Sequence, residues 1–239
     1  GRVEWQPGSP DRLVARLTRL SIPPSDTAAV EQLLDDTGTQ WPALDIVVED
    51  FELRGKRLGR LEIEADLQPS AMAPSSSGLP AASSRESPRD WRLHRFSLAN
   101  SDATLSAKGQ WAVASGAATP VHRRTQLDFR LDLKNSGALL ERLGFQRALK
   151  GGEGKLEGQI AWRGSPMSPH VASMEGKMRL DADNGQFLKA DAGAARLLGV
   201  LSLQSLPRRL ILDFRDVFEE GFPFDSLSGD VTIADGVAR

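Results

Sequence analysis

Apolar and polar residues alternate with a period of two along most of this 239-residue chain, and that pattern restricts its fold more than any other feature. An extended strand sends successive side chains to opposite faces, so strict alternation writes a strand with one apolar and one polar side. Over residues 60–67 the apolar set is Leu61, Ile63, Ala65 and Leu67, against Arg60, Glu62, Glu64 and Asp66. Over 126–134 it is Leu127, Phe129, Leu131 and Leu133, against Asp128, Arg130, Asp132 and Lys134. Over 155–163 it is Leu156, Gly158, Ile160 and Trp162, against Glu157, Gln159, Ala161 and Arg163. A slip of one residue would turn each apolar set to the wrong side, so the strand register is strongly specified.

The same grammar predicts further strands at 13–20, 43–53, 91–98, 103–113, 177–181, 208–215 and 227–233. Turns are expected at Gly55, at Asn100–Ser101–Asp102, at Gly116, at Gly164–Ser165–Pro166 and at Asn184–Gly185. Many short strands at even spacing with tight connections predict an antiparallel, mainly β protein. Three segments break the alternation and predict short helices. Residues 26–36 open on Asp26, a good N-cap; 135–143 end at Gly144, a usual helix terminator; 192–203 are apolar nearly all round. Residues 68–90 are rich in Pro, Ser and Ala with little to bury, and read as a mobile loop between two strands.

Composition excludes several classes. Thirty basic and 32 acidic residues give a net charge of −2, without the basic excess of a nucleic-acid binder. The chain holds no cysteine, so disulfides, thiolate catalysis and Cys-ligated metals are out. No apolar run approaches the ~20 residues of a spanning helix. No signal peptide opens the chain, and both ends read as cuts within a longer protein.

A search for chemistry returns little. His94, His122 and His170 have no partner at metal-ligand spacing. Residues 151–158, GGEGKLEG, fail both the phosphate-loop and the dinucleotide spacing and read as a turn entering a strand. Asp181 and Asp183 would share a strand face, and so form a possible acid/base pair for an enzyme acting on glycans. The Asn-Gly that follows them favours an ordinary turn. Arg196, Arg208 and Arg209 form the best basic cluster, either a contact for lipid phosphate or a solvated strand start. No catalytic set and no cofactor are expected.

Residues 186–230 carry the strongest signal of another kind. An apolar helix runs through Leu206–Pro207 into an alternating strand, and Phe218, Phe222 and Phe224 gather in the turn-rich stretch beyond. The words GQFLK, GAARLLGVLSLQSLPRRLILDFRDVF and FDS, with the following GD, closely resemble the C-terminal region of the AsmA-like proteins of Gram-negative bacteria, in their YhdP branch. Residues 139–143 and 151–164 share the resemblance; GRVEW, LTRLSIP and FELRGKRLGRLEIEA share it more loosely, and residues 68–90 have no counterpart.

The resemblance implies an extended, strongly curved antiparallel sheet, a trough or groove with two or three short helices, running continuously through residues 1–239 of a longer chain. It implies a periplasm-spanning protein, anchored to the inner membrane by a part absent here, that moves phospholipid to the outer membrane with acyl chains against an apolar interior. On that reading the groove candidates are Leu127, Phe129, Leu131, Leu156, Ile160, Trp162, Leu197, Leu198, Leu201, Leu210, Leu212 and Phe214. The helix at 192–203 either packs as core or plugs the groove. The alternative is a non-enzymatic scaffold or assembly factor for outer-membrane biogenesis, recruiting partners through an open sheet edge.

Overall fold

The computed structural model describes residues 2–5, 12–23, 42–69, 89–113, 123–166, 169–188 and 222–238. The expected helices at 26–36 and 192–203, the strand at 208–215, the turn at Gly116 and most of the Ser/Pro-rich stretch lie outside them.

The described residues form one sheet of 11 strands whose spatial order is their order in sequence. They are β1 (Arg2–Trp5), β2 (Arg12–Ile22), β3 (Ala43–Leu53), β4 (Lys56–Pro69), β5 (Arg89–Ala99), β6 (Ala103–Val113), β7 (Arg123–Leu133), β8 (Leu149–Arg163), β9 (Glu175–Phe187), β10 (Phe222–Ala234) and β11 (Val237–Ala238). No pairing joins β1 to β11, so the sheet is open. One α-helix, α1 (Ser136–Arg142), and a single 3-10 turn at Val171–Ser173 complete the regular structure among the described residues.

Register places the alternating apolar sets side by side. Leu17 lies opposite Val48, Val48 opposite Leu61, Leu61 opposite Leu98, and Leu98 opposite Leu105. The row continues through Leu131, Leu156 and Leu180 to Gly229. It crosses nine strands on one face. The other face carries an equally ordered charged row: Arg130 opposite Glu157, Glu157 opposite Arg179, and Arg179 opposite Asp230. Arg130 and Glu157 approach to 3.8 Å, and Arg179 and Asp230 to 3.5 Å. Such exposed pairs contribute little energy singly, about 0–1 kcal/mol each, but like charges opposite one another would oppose pairing.

Several expectations need correction. β2 and β3 pair in parallel, not antiparallel, with Leu13 opposite Leu44 and Ile22 opposite Leu53. The strands flanking the Ser/Pro-rich stretch extend into it, with Gln68 opposite Asp90 and Pro69 opposite Arg89. Asn184–Gly185 is no turn, and 151–158 is not a turn entering a strand; both stretches are paired within β9 and β8, Gly151 opposite Gly185. The left-handed backbone of Asn184, with φ of 54°, lets the strand kink and continue. β10 likewise begins at Phe222, ahead of the expected Leu227, and Phe224 stacks on Phe187 at 5.2 Å between ring centroids.

Helix α1 forms as its sequence predicts. The Asn135 side chain accepts a hydrogen bond from the Ala138 N–H, and Gly144 with φ of 94° ends the helix. Its last turn ties three strand ends together. Arg142 donates to Asp102 Oδ2 at 2.6 and 2.9 Å and to the Arg57 carbonyl at 3.1 Å, while Lys56 Nζ donates to the Leu143 carbonyl. Residues that open β4 and residues after β7 meet although two strands separate them, so the sheet curls around this end.

The Ser101 hydroxyl, and then Arg142, hold the Asp102 carboxyl below the ordinary carboxylate range. A depressed folded-state value stabilises the fold above the unfolded value of about 3.9 and ceases to do so as pH falls through the folded value. Asp102→Asn should therefore lower the melting temperature by about 3–6 °C at neutral pH. Thermal melts across pH should show the gap from wild type closing below about pH 4. A second test addresses strand approach: a Cβ on Gly109 would collide with the Gln126 carbonyl oxygen on β7 and come within 2.8 Å of Leu127 Cδ2. Gly109→Ala should cost about 1–3 kcal/mol in urea unfolding, against near-neutrality for Gly→Ala at open Gly229.

Candidate functional site

A bulge in β5 shapes the centre of the apolar face. Leu93 pairs with Gly109 and Phe96 with Ala107, so β5 inserts one extra residue between them. Without it, Leu93 and Phe96 would point to opposite sides. With it, Trp91, Leu93, Phe96 and Leu98 all meet the same face, and His94 is left on the polar side, 3.0 Å from Asp66.

The core cluster sits here. Leu44, Ala65, Trp91, Leu93 and Trp111 are buried, with Ile46, Ile63, Phe96 and Leu127 packed against them. Beside the cluster lies an apolar cavity of about 480 Å³ lined by Leu44, Ile63, Trp91, Leu93, Phe96, Leu105, Ala107, Trp111, Leu127, Phe129, Ile160 and Pro166. All but Pro166 come from six consecutive strands, β3 to β8. Five strand spacings of about 4.8 Å would separate the outer two by roughly 24 Å on a flat sheet. A shared cavity requires the face to be concave.

One end of the cavity is built by the chain beyond β8. Trp162, 3% exposed, donates its indole N–H to the Ser165 carbonyl at 2.8 Å. Thr125 is fully buried and donates to the Gly164 carbonyl at 2.8 Å. These two bonds hold residues 164–166 over the strand ends and bring Pro166 to the cavity wall. On the same side Arg123, first residue of β7, stacks over the Trp111 ring with its guanidinium carbon 4.5 Å from the centroid. Burial holds Arg123 below the usual guanidinium value, and the charge of Asp90 opposes that shift.

The groove candidates divide in three. Leu127, Phe129 and Ile160 line the cavity. Leu131, Leu156 and Trp162 share their face, the first two half-buried further along and the last closing the end. Leu197, Leu198, Leu201, Leu210, Leu212 and Phe214 lie outside the described residues. Sequence reading missed Leu44, Ile63, Trp91, Leu93, Phe96, Leu105, Ala107, Trp111 and Pro166 as lining. The one available signal was the change of phase between Leu93 and Phe96.

Other candidate chemistry disperses. Asp181 lies on the polar face and pairs with Arg179 at 3.1 Å. His170 contacts the Ser173 hydroxyl at 3.1 Å. Among the described residues no three His, Cys, Asp or Glu side chains gather as metal ligands, and no helix is long and apolar enough to cross a membrane.

An open sheet with one charged face and one concave apolar face defines a mainly β protein built on a single curved sheet. The profile of the YhdP protein family matches residues 1–239, and the chain belongs to that family. A curated relative in Escherichia coli K12, named intermembrane phospholipid transporter YhdP, is 32% identical over 134 residues, 56% of this chain and 10% of that protein. No solved structure matches the chain.

The two faces predict opposite tolerances. Leu93→Asp would bury a charge without a partner, at a cost of several kcal/mol, and should abolish the cooperative thermal transition. Ser106→Asp, on the exposed polar face opposite Arg130, should leave the melting temperature within about 2 °C of wild type. Equal tolerance of both changes would show that the apolar face is not the packed one.

Proposed function

We propose that this chain is one segment of a longer, inner-membrane-anchored protein crossing the periplasm, and that its concave apolar face holds phospholipid acyl chains in passage between inner and outer membranes. The observation that carries the reading is the unbroken apolar row from Leu17 to Leu180, which among the described residues borders a hollow. Leu131, Leu156 and Leu180 in that row are only half-buried. Apolar side chains left this way across a sheet face mark a binding surface. Strands of 11 residues at about 3.3 Å each run roughly 36 Å, longer than an acyl chain needs. The name of the Escherichia coli relative, which matches over part of this chain, supports lipid as the cargo.

The role is non-enzymatic: binding and guidance by burial of methylenes, each contributing about 0.8 kcal/mol wherever it leaves water. Leu127, Phe129 and Ile160 are the central contacts, with Leu131, Leu156 and Trp162 extending the surface.

Ala107 lines the cavity and its small side chain leaves the volume open. Ala107→Trp should fill it, keep or raise the melting temperature, and remove phospholipid that co-purifies with the wild-type chain in native mass spectrometry. Photo-crosslinking probes at Phe129 and Ile160 should label lipid in wild type and lose most of that signal in the filled variant. Undiminished lipid in the filled variant, or a wild-type chain that carries none, would overturn the groove reading. A scaffold acting through its sheet edge would bind its protein partners equally well with the cavity filled.

A further inference from the structure

We infer that Arg123 is a phosphate-recognition residue at the cavity's end, receiving the headgroup phosphate of a phospholipid whose tails lie along the apolar face toward α1. The inference rests on the groove reading above and adds a polarity to it.

Two observations converge on Arg123. Register sets it on the apolar side: Arg123 pairs with Val113 and Thr125 with Trp111, so Arg123, Thr125, Leu127 and Phe129 follow one another on one face. Its guanidinium rests on Trp111, which itself lines the apolar cavity. The charge therefore stands where the hollow meets the strand ends, beside the segment that Trp162 and Thr125 hold in place.

The chemistry suits a phosphodiester. Stacking uses the flat face of a guanidinium, whereas its five N–H donors radiate in the plane and match phosphate oxygens two at a time. A stacked guanidinium is also pre-organised, so less rotamer freedom is lost on binding. Partial burial strips water from the cation, which strengthens attraction to an anion arriving in the same low-dielectric site. Asp90 contributes the opposing charge that a bound phosphate would have to outcompete. A neutral lipid with the same tails would gain the apolar burial and none of this.

The test measures, on the 239-residue chain, binding of dioctanoyl phosphatidylglycerol and of dioctanoylglycerol, which carries the same tails without phosphate. Wild type should bind the phospholipid about tenfold more tightly than the neutral lipid. Arg123→Gln should erase that preference while leaving dioctanoylglycerol affinity within about twofold, and Arg123→Lys should retain part of it, as a point charge without the planar fork. Equal affinity of wild type for the two lipids would overturn the inference and leave the groove reading standing. No binding of either lipid would overturn both. Inorganic phosphate alone should not shift the wild-type melting temperature; a shift that Arg123→Gln abolishes would make the site one for free anions and overturn the lipid assignment. Should Arg123→Gln fail to fold, the wild-type ratio and the Arg123→Lys ratio decide the matter.

Discussion

Cross-strand registration of like with like is the constraint on which this structure depends. Leu98, Leu105, Leu131, Leu156 and Leu180 stand directly opposite one another in successive strands. Side-chain period in a strand is two, so any single-residue slip at one ladder would expose one strand's apolar set and bury charges such as Asp128 or Arg130. The charged row on the other side, Arg130–Glu157–Arg179–Asp230, enforces the same register by sign. Apolar burial provides most of the energy, and charge order discriminates among alternative pairings.

Curvature turns that sheet into a site. Two devices produce it: the β5 bulge, which adds a residue and sharpens local twist, and the polar clasp around α1, where Arg142, Asp102, Lys56 and Arg57 draw separate strand ends together. Small residues complete the hollow. Ala107 on β6 stands among large neighbours and leaves room where a larger side chain would fill it, whereas Gly109 and Gly158 permit close approach of the neighbouring strands. A hollow apolar wall is less stable than a packed core, because its lining side chains lack partner atoms on one side.

Much of the architecture was legible in the amino-acid order. Ala43–Leu53 and Ala103–Val113 coincide with the strands that alternation marks, and Asn135 and Gly144 bracket α1 as capping chemistry requires. The facing of Leu127, Phe129, Ile160 and Trp162 followed from period two alone. These features are local, governed by side-chain direction and by the unsatisfied N–H groups at a helix start, so they survive translation from sequence without knowledge of neighbours.

What only the tertiary structure decided is non-local. The parallel pairing of β2 with β3 depends on where a distant strand lies. Continuation of β9 through Asn184–Gly185 depends on partners in β8 and β10 that satisfy a backbone which, isolated, would turn. Trp91 and Leu93 share one wall of the hollow with Phe96 because the bulge between Leu93 and Phe96 sets their faces alike. Arg123, read along the chain, is one of two arginines opening a strand; only its place over Trp111 separates it from Arg124, which faces the other way and meets Glu175 at 2.7 Å. Sequence determines which side of a strand is apolar, whereas curvature determines whether that side becomes a packed core or a groove, because concavity arises from the sum of twists and end-to-end contacts that no single segment encodes.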